Sequence, residues 1–278
     1  MPDFPLNLGA LESKDPRNIP PGAVQAPVPF PEEFHARFDE VPTYYQNGQP
    51  ACGGHAGAYL KSYLDYLSLQ LAVPRSPRQL YAICKLVDGL PEHEGTTLNA
   101  IFKALRDYGV PQLSLYPNDV HLPKKQYRDA SLIPPAAIED AKKNRIAPGY
   151  AIQNSPSFDD VRRSVYLKQA AIILIYCDDG FFGTNDPTFN EKKYGHFVVA
   201  IPDYDHSTIT AIDSTEPTTA FSAKRIPKSA FENGFIRQMG VAANLPNWQL
   251  RGLTSPIATK RFIYQQLIAA YTQLLKGR

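Results

Sequence analysis

Helical spacing and strand spacing occupy opposite halves of this chain, and that segregation restricts its folds more than any other feature. From Cys52 the apolar positions Ala56, Tyr59, Leu60, Tyr63, Leu64 and Leu67 recur at three- and four-residue steps as far as Pro74. Such spacing predicts a largely buried amphipathic helix, opened by Gly48-Gln49-Pro50. Further helices are expected over residues 76–87, with Leu80, Ile83, Cys84 and Val87 on one face, and over 97–108, ended by Gly109. Residues 134–143 and 157–168 read as shorter helices, the second with Asp159 and Asp160 in its first turn. Strand candidates lie at 149–154, 170–176, 196–201, 208–212 and 234–242, divided by Pro, Gly, Asn and Asp. Helices first and strands second argue for an α+β fold of two lobes, not an alternating parallel-sheet fold.

The two ends differ from this body. Nine of the 26 prolines fall within residues 1–45, so that stretch is expected to be an extended arm over the folded part. Residues 258–275 put Ile263, Leu267, Tyr271 and Leu274 on one helical face, a helical appendage that could dock on the body, on a partner or on a second copy. No internal repeat is present. With 29 basic against 27 acidic side chains the formal charge is +2, which lacks the basic footprint of a nucleic-acid binder. No apolar run is long enough to span a membrane. The first residues, MPDFPLNLGA, have neither the basic nor the apolar region of a signal peptide, so the cytoplasm is the expected compartment, with export by another route left open. Three cysteines in 278 residues do not make a disulfide framework; they fit a reducing compartment or a thiol kept for chemistry.

Chemistry concentrates in Gln46-Asn47-Gly48-Gln49-Pro50-Ala51-Cys52-Gly53-Gly54-His55. This places Cys52 in the first turn of a buried helix, where unpaired backbone N–H groups favour anionic sulfur. Gln46, six residues earlier, can fold its amide beside the sulfur across a glycine-bearing turn. A thiolate with an amide donor at hand is the equipment of acyl transfer. Downstream, His196 opens a strand, and a turn and a returning strand bring Asp213 back toward it. The carboxylate can then orient the imidazole so that its other nitrogen meets the sulfur. Cys84 and Cys177 sit in apolar contexts and read as packing residues. Cys52, His55 and His196 could be drawn as zinc ligands, but a single Cys-x2-His without a second close pair does not support a metal. The carboxylates of Asp178-Asp179 and Asp203-x-Asp205 read as solvated turns, and Lys192-Lys193 as a charged loop at the mouth of a cleft. No cofactor is expected.

These residues, in this order, resemble the papain family of cysteine peptidases, in the form without signal or classical propeptide found among bacterial and phage sequences. The likeness runs over about residues 40–240. The six-residue Gln46–Cys52 spacing fits the oxyanion glutamine and the nucleophile. His196, 144 residues after Cys52, fits the family histidine, and Asp213-Ser214 stands where the family has Asn-Ser. The resemblance implies a substrate-pairing role for Gly95, in Glu94-Gly95-Thr96-Thr97, and substrate contacts at Gly54 and Gly195. It also implies departures. Gly53 follows the cysteine where the family has an aromatic residue. An overlay on Cys-Gly-Gly-His would put His55 at the nucleophile, a register rejected because it loses the Gln46–Cys52 spacing. Thr215 replaces a shielding Trp, so the His196–Asp213 contact is expected to be wetter.

The resulting expectation is a papain-like two-lobed fold: an arm at 1–45, a peptidase domain at 46–245 with a helical lobe to about 130 and a β-rich lobe after it, and an appendage at 246–278. Its implied activity is hydrolysis of peptide bonds in peptide or protein substrates. Two alternatives stay open: an acyl transferase of transglutaminase type using the same triad, and an inactive papain-like protein that binds peptides or partners.

Overall fold

A computed structural model describes residues 10–12, 29–36, 40–168, 170–216 and 222–244. The expected C-terminal helix and most of the arm lie outside them. The helical lobe is built on α1 (Cys52–Leu69), whose first fourteen residues are all buried. Its all-round burial follows from position: α2 (Pro77–Val87), α3 (Leu98–Asp107) and the sheet all pack on it. The helix stops short of Pro74 because Gln70 takes a left-handed cap, φ 54°, and its N–H returns to the Tyr66 carbonyl. Ser76 caps α2, with Pro77 in the first turn, and Thr97 caps α3. Short helices α4 (Lys124–Tyr127) and α5 (Pro135–Lys143) complete this half.

The second half is an antiparallel sheet of β4 (Ile146–Asn154), β5 (Ala171–Cys177), β6 (Tyr194–Tyr204), β7 (Thr208–Ile212), β8 (Ala223–Pro227) and β9 (Ile236–Asn244), in the order β4-β9-β5-β6-β7-β8. The arm adds β2 (Phe34–His35) to the far end of β6. Flanking helices are α6 (Phe158–Lys168) and α7 (Lys228–Glu232). The central strands divide their side chains between two cores. Ile172 and Leu174 of β5, with Phe197 and Val199 of β6, face the helical lobe; Ile173, Ile175, Val198 and Ala200 face the outer core under α6 and α7. A period of two with both faces covered explains why β5 reads as one continuous apolar run.

β8 and α7 have no counterpart in the sequence reading. The inward positions in β8 are Lys224 and Ile226, both fully buried, so the charge on the first breaks the apolar alternation. A further pair joins β1 (Ala10–Leu11) of the arm, in parallel, to β3 (Thr96–Thr97). Among the described residues no helix is long and apolar enough to cross a membrane.

Candidate active site

Cys52 is the first residue of α1 and is wholly buried. The turn before it is fixed by Asn47 and Gly48, at φ 45° and 73°, and by the Gln49 N–H donating to the Gln46 carbonyl at 2.9 Å. Gln46 is clasped to the opposite lobe: its N–H donates to the Ser214 carbonyl at 2.8 Å, and the Ser214 hydroxyl donates to Gln46 Oε1 at 2.8 Å. Its amide Nε2 donates one proton to the Gln49 carbonyl at 3.1 Å. An amide NH2 has two protons, so a second donor remains.

His196 lies on β6 opposite Ile175 of β5, and β6–β7 pairing returns the chain so that Asp213 follows directly after β7. His196 Nε2 and Asp213 Oδ1 are 2.7 Å apart, and both side chains are sealed from solvent. A carboxylate accepts, so Nε2 carries the proton. The other ring nitrogen, Nδ1, is buried with no nitrogen or oxygen partner, and Cys52 is the side chain that hydrogen-bonds the ring besides Asp213. Burial works against a charged ring, but the Asp213 charge and hydrogen bond, with Cys52 adding in the same sense, outweigh it and raise His196 to about 9. Burial likewise pushes the Asp213 carboxyl up; His196 and the hydrogen bonds from Thr215 prevail and hold it low. Cys52 is thus the neighbour that acts on the imidazole besides Asp213.

The expected wetness of this contact is corrected. Phe181 sets its ring edge-on to His196, centroids 5.8 Å apart, and supplies the shield that Thr215 does not. Thr215 instead donates its N–H to Asp213 Oδ1 at 3.0 Å and its hydroxyl to Oδ2.

The three glycines fare differently. Gly95, at φ 86°, has both backbone groups in use: its N–H donates to the Tyr81 hydroxyl at 3.1 Å and its carbonyl accepts from Lys85 Nζ at 2.7 Å. Its N–H is thus taken within the fold, and the strand pairing runs one residue on, at Thr96–Thr97. Gly54 faces α2, where a Cβ would stand 2.5 Å from the Pro77 carbonyl oxygen. It is a helix-packing position, not a wall of the cleft. Gly195 does face the cleft: a Cβ there would come 2.5 Å from the Ala10 carbonyl oxygen.

The arm therefore runs between the two walls. Ala10 and Leu11 pair with Thr96 and Thr97, and Glu12 meets Arg237 and the Tyr176 hydroxyl of the sheet lobe at 3.4 Å each. Farther along, Arg162 holds the arm from α6, donating to the Glu32 carbonyl with its guanidinium 5.1 Å from the Phe30 ring centre.

His55, one turn after Cys52, donates Nδ1–H to the Ala51 carbonyl at 2.9 Å and accepts at Nε2 from Asn118 at 3.2 Å. Burial, partly offset by its backbone contacts, pushes it down to about 4, so it is neutral. Both nitrogens being occupied, it holds the helix start to the Asn118 loop. Among the described residues no three His, Cys, Asp or Glu side chains converge as a metal set.

No protein-family model and no curated protein sequence matches the chain. Solved structures do. Xylellain, a cysteine protease from Xylella fastidiosa, superposes with a TM-score of 0.62 at 15% identity, over 77% of this chain and 87% of its own. Digestive procathepsin L 3 of the Tenebrio molitor larval midgut gives 0.63 at 16%, over 86% and 76%. Bromelain from Ananas comosus, in complex with the E64 inhibitor, gives 0.53 at 16%, over 74% and 95%. The helical lobe, the antiparallel sheet lobe and these superpositions establish that the chain has the papain-like fold.

Proposed function

We propose that the protein is a cysteine peptidase in which Cys52, His196 and Asp213 form the triad and Gln46 assists. The observation that carries this reading is His196 Nδ1, buried with no nitrogen or oxygen partner and left to Cys52 while Asp213 fixes the opposite nitrogen. Leaving one nitrogen of a buried ring unpaired is costly unless another group uses it. In the proposed cycle the Cys52 thiolate adds to the peptide carbonyl, and the oxyanion takes hydrogen bonds from the free Gln46 Nε2 proton and the Cys52 N–H. The C–N bond breaks as His196 passes its proton to the leaving amine. Water then adds to the thioester, giving its proton to His196, and the acid leaves as the thiolate re-forms.

Residues 10–12 occupy the strand-pairing edge, so in this state the site is closed, and turnover requires the arm to leave. The same observation favours a second reading, a non-cleaving peptide-binding protein whose groove the arm fills. Stoichiometric labelling of Cys52 by an epoxysuccinyl reagent, with peptide cleavage lost in Cys52→Ala, separates them; binding without labelling or cleavage selects the second. An added amine acceptor that appears in the products would redirect the assignment to acyl transfer, since the acyl-enzyme is common to both.

A further inference from the structure

We infer that Lys224 is a positioning residue that acts through Asp213, offsetting its charge so that His196 is oriented by a carboxylate without being held too tightly in its protonated form. This rests on the triad reading above. Lys224 stands on β8 opposite Ala211 and is completely buried. Its ammonium donates to the Thr184 carbonyl and to Glu216 Oε1, each at 2.8 Å, and lies 3.8 Å from Asp213 Oδ2. The Phe181 ring, 5.3 Å from Nζ, separates it from water and turns its edge to His196.

Asp213 does not need Lys224 for hydrogen bonding. Oδ1 is taken by His196 and the Thr215 N–H, and Oδ2 by the Thr215 hydroxyl. What the lysine supplies is charge, in a buried setting where charge is weakly screened. An orienting carboxylate alone would stabilise the imidazolium and slow the release of its proton to a leaving amine. A cation behind the carboxylate makes the pair act toward the ring more like a neutral acceptor. Glu216, which also accepts from the Gly183 N–H, then balances the lysine, so four alternating charges, His196, Asp213, Lys224 and Glu216, follow one another from Cys52 to the half-buried Glu216. The other titratable groups around the ring are Cys52 and His55 on α1 and Cys177 at the end of β5, whose thiol burial pushes up.

The test follows the His196 ring by NMR in the full chain carrying 15N-histidine, a readout independent of whether the arm admits substrate. Lys224→Met removes the offset and should move the His196 midpoint up by about one pH unit. Glu216→Gln leaves the lysine unbalanced and should move it down. Asp213→Asn combined with Lys224→Met should return the midpoint below that of Lys224→Met alone. A lysine that only holds the loops together predicts no shift of opposite sign in the two single variants, and that result overturns the inference. Should Lys224→Met fail to fold, Glu216→Gln decides, a downward shift supporting the role and an unmoved midpoint sinking it. A midpoint insensitive to Cys52→Ala would count against the Cys52–His196 pair itself, separately from Lys224.

Discussion

Each lobe buries a cluster of charges, and the two clusters are finished differently. In the helical lobe, Asp65 sits between Lys61 and Arg75; Arg75 reaches it through Nε at 2.8 Å and Nη2 at 2.5 Å and also donates to the Val110 carbonyl. Lys61, although pushed down to about 8 by burial, has its carboxylate one helical turn away. In the sheet lobe, His196, Asp213 and Lys224 are as deeply buried, with Glu216 half-buried beyond them, but one end is open: His196 Nδ1 has no nitrogen or oxygen partner and is left to Cys52. A closed cluster fixes geometry. An open one holds a proton at a defined atom beside a sulfur. Burial and ion pairing alone do not distinguish a brace from a site; a ring nitrogen left to a cysteine does.

The comparison can be broken from either side. The largest effect is expected for Cys52→Ala, which should lower peptide cleavage by at least about three orders of magnitude. Its thermal unfolding should change little, read by calorimetry alongside the assay. Asp65→Ala should do the reverse, costing about 3–5 kcal/mol in a urea titration by leaving two buried cations unpaired, without moving the pH midpoint of His196. Equal loss of stability in both variants would erase the distinction between brace and site.

The two histidines of the site give opposite pH signs. His196 is raised to about 9, so its contribution is fully present below its unfolded value near 6.5 and is lost as pH rises through 9. His55 is lowered to about 4, so the folded state loses stability as pH falls from about 6.5 through 4. Unfolding free energy should therefore peak near neutrality, with each slope worth about 3 kcal/mol. His55→Gln should flatten the loss between about pH 6.5 and 4, and Asp213→Asn should flatten the alkaline slope and also remove the loss at still lower pH that a depressed carboxyl brings. A smaller effect, about tenfold in cleavage rate, is expected from deleting residues 1–12, which removes the strand at Thr96–Thr97. A rate unchanged by the deletion would mean that the arm does not limit access.

How much of this could be read beforehand depended on locality. Gln46 and Cys52 share one turn and one helix start, and His196 and Asp213 share one hairpin, so spacing alone brought each pair within reach. The strand-pairing edge lies at Thr96, one residue past the glycine that marks the turn, because the Gly95 backbone is used by Tyr81 and Lys85. Phe181 folds back from a loop, and nothing local marks it as the shield of His196. Lys224 was hidden for a different reason: a charged residue at an inward strand position breaks the alternation by which strands are recognised, so the residue that serves Asp213 also concealed β8. The placement of Ala10 and Leu11 beside Thr96 depends on a contact more than eighty residues away in sequence, beyond any periodic signal.

The central claim is that Cys52 and His196 act as one unit. Brief exposure of the folded full chain to limiting iodoacetamide near pH 6, followed by peptide mapping, tests it most directly. All three cysteines are buried, but burial pushes the Cys84 and Cys177 thiols up while Cys52 has His196 beside it, so those two should stay unmodified while Cys52 reacts. His196→Ala should slow that reaction by about tenfold or more. Slow and equal labelling of all three cysteines, indifferent to His196→Ala, would contradict the account.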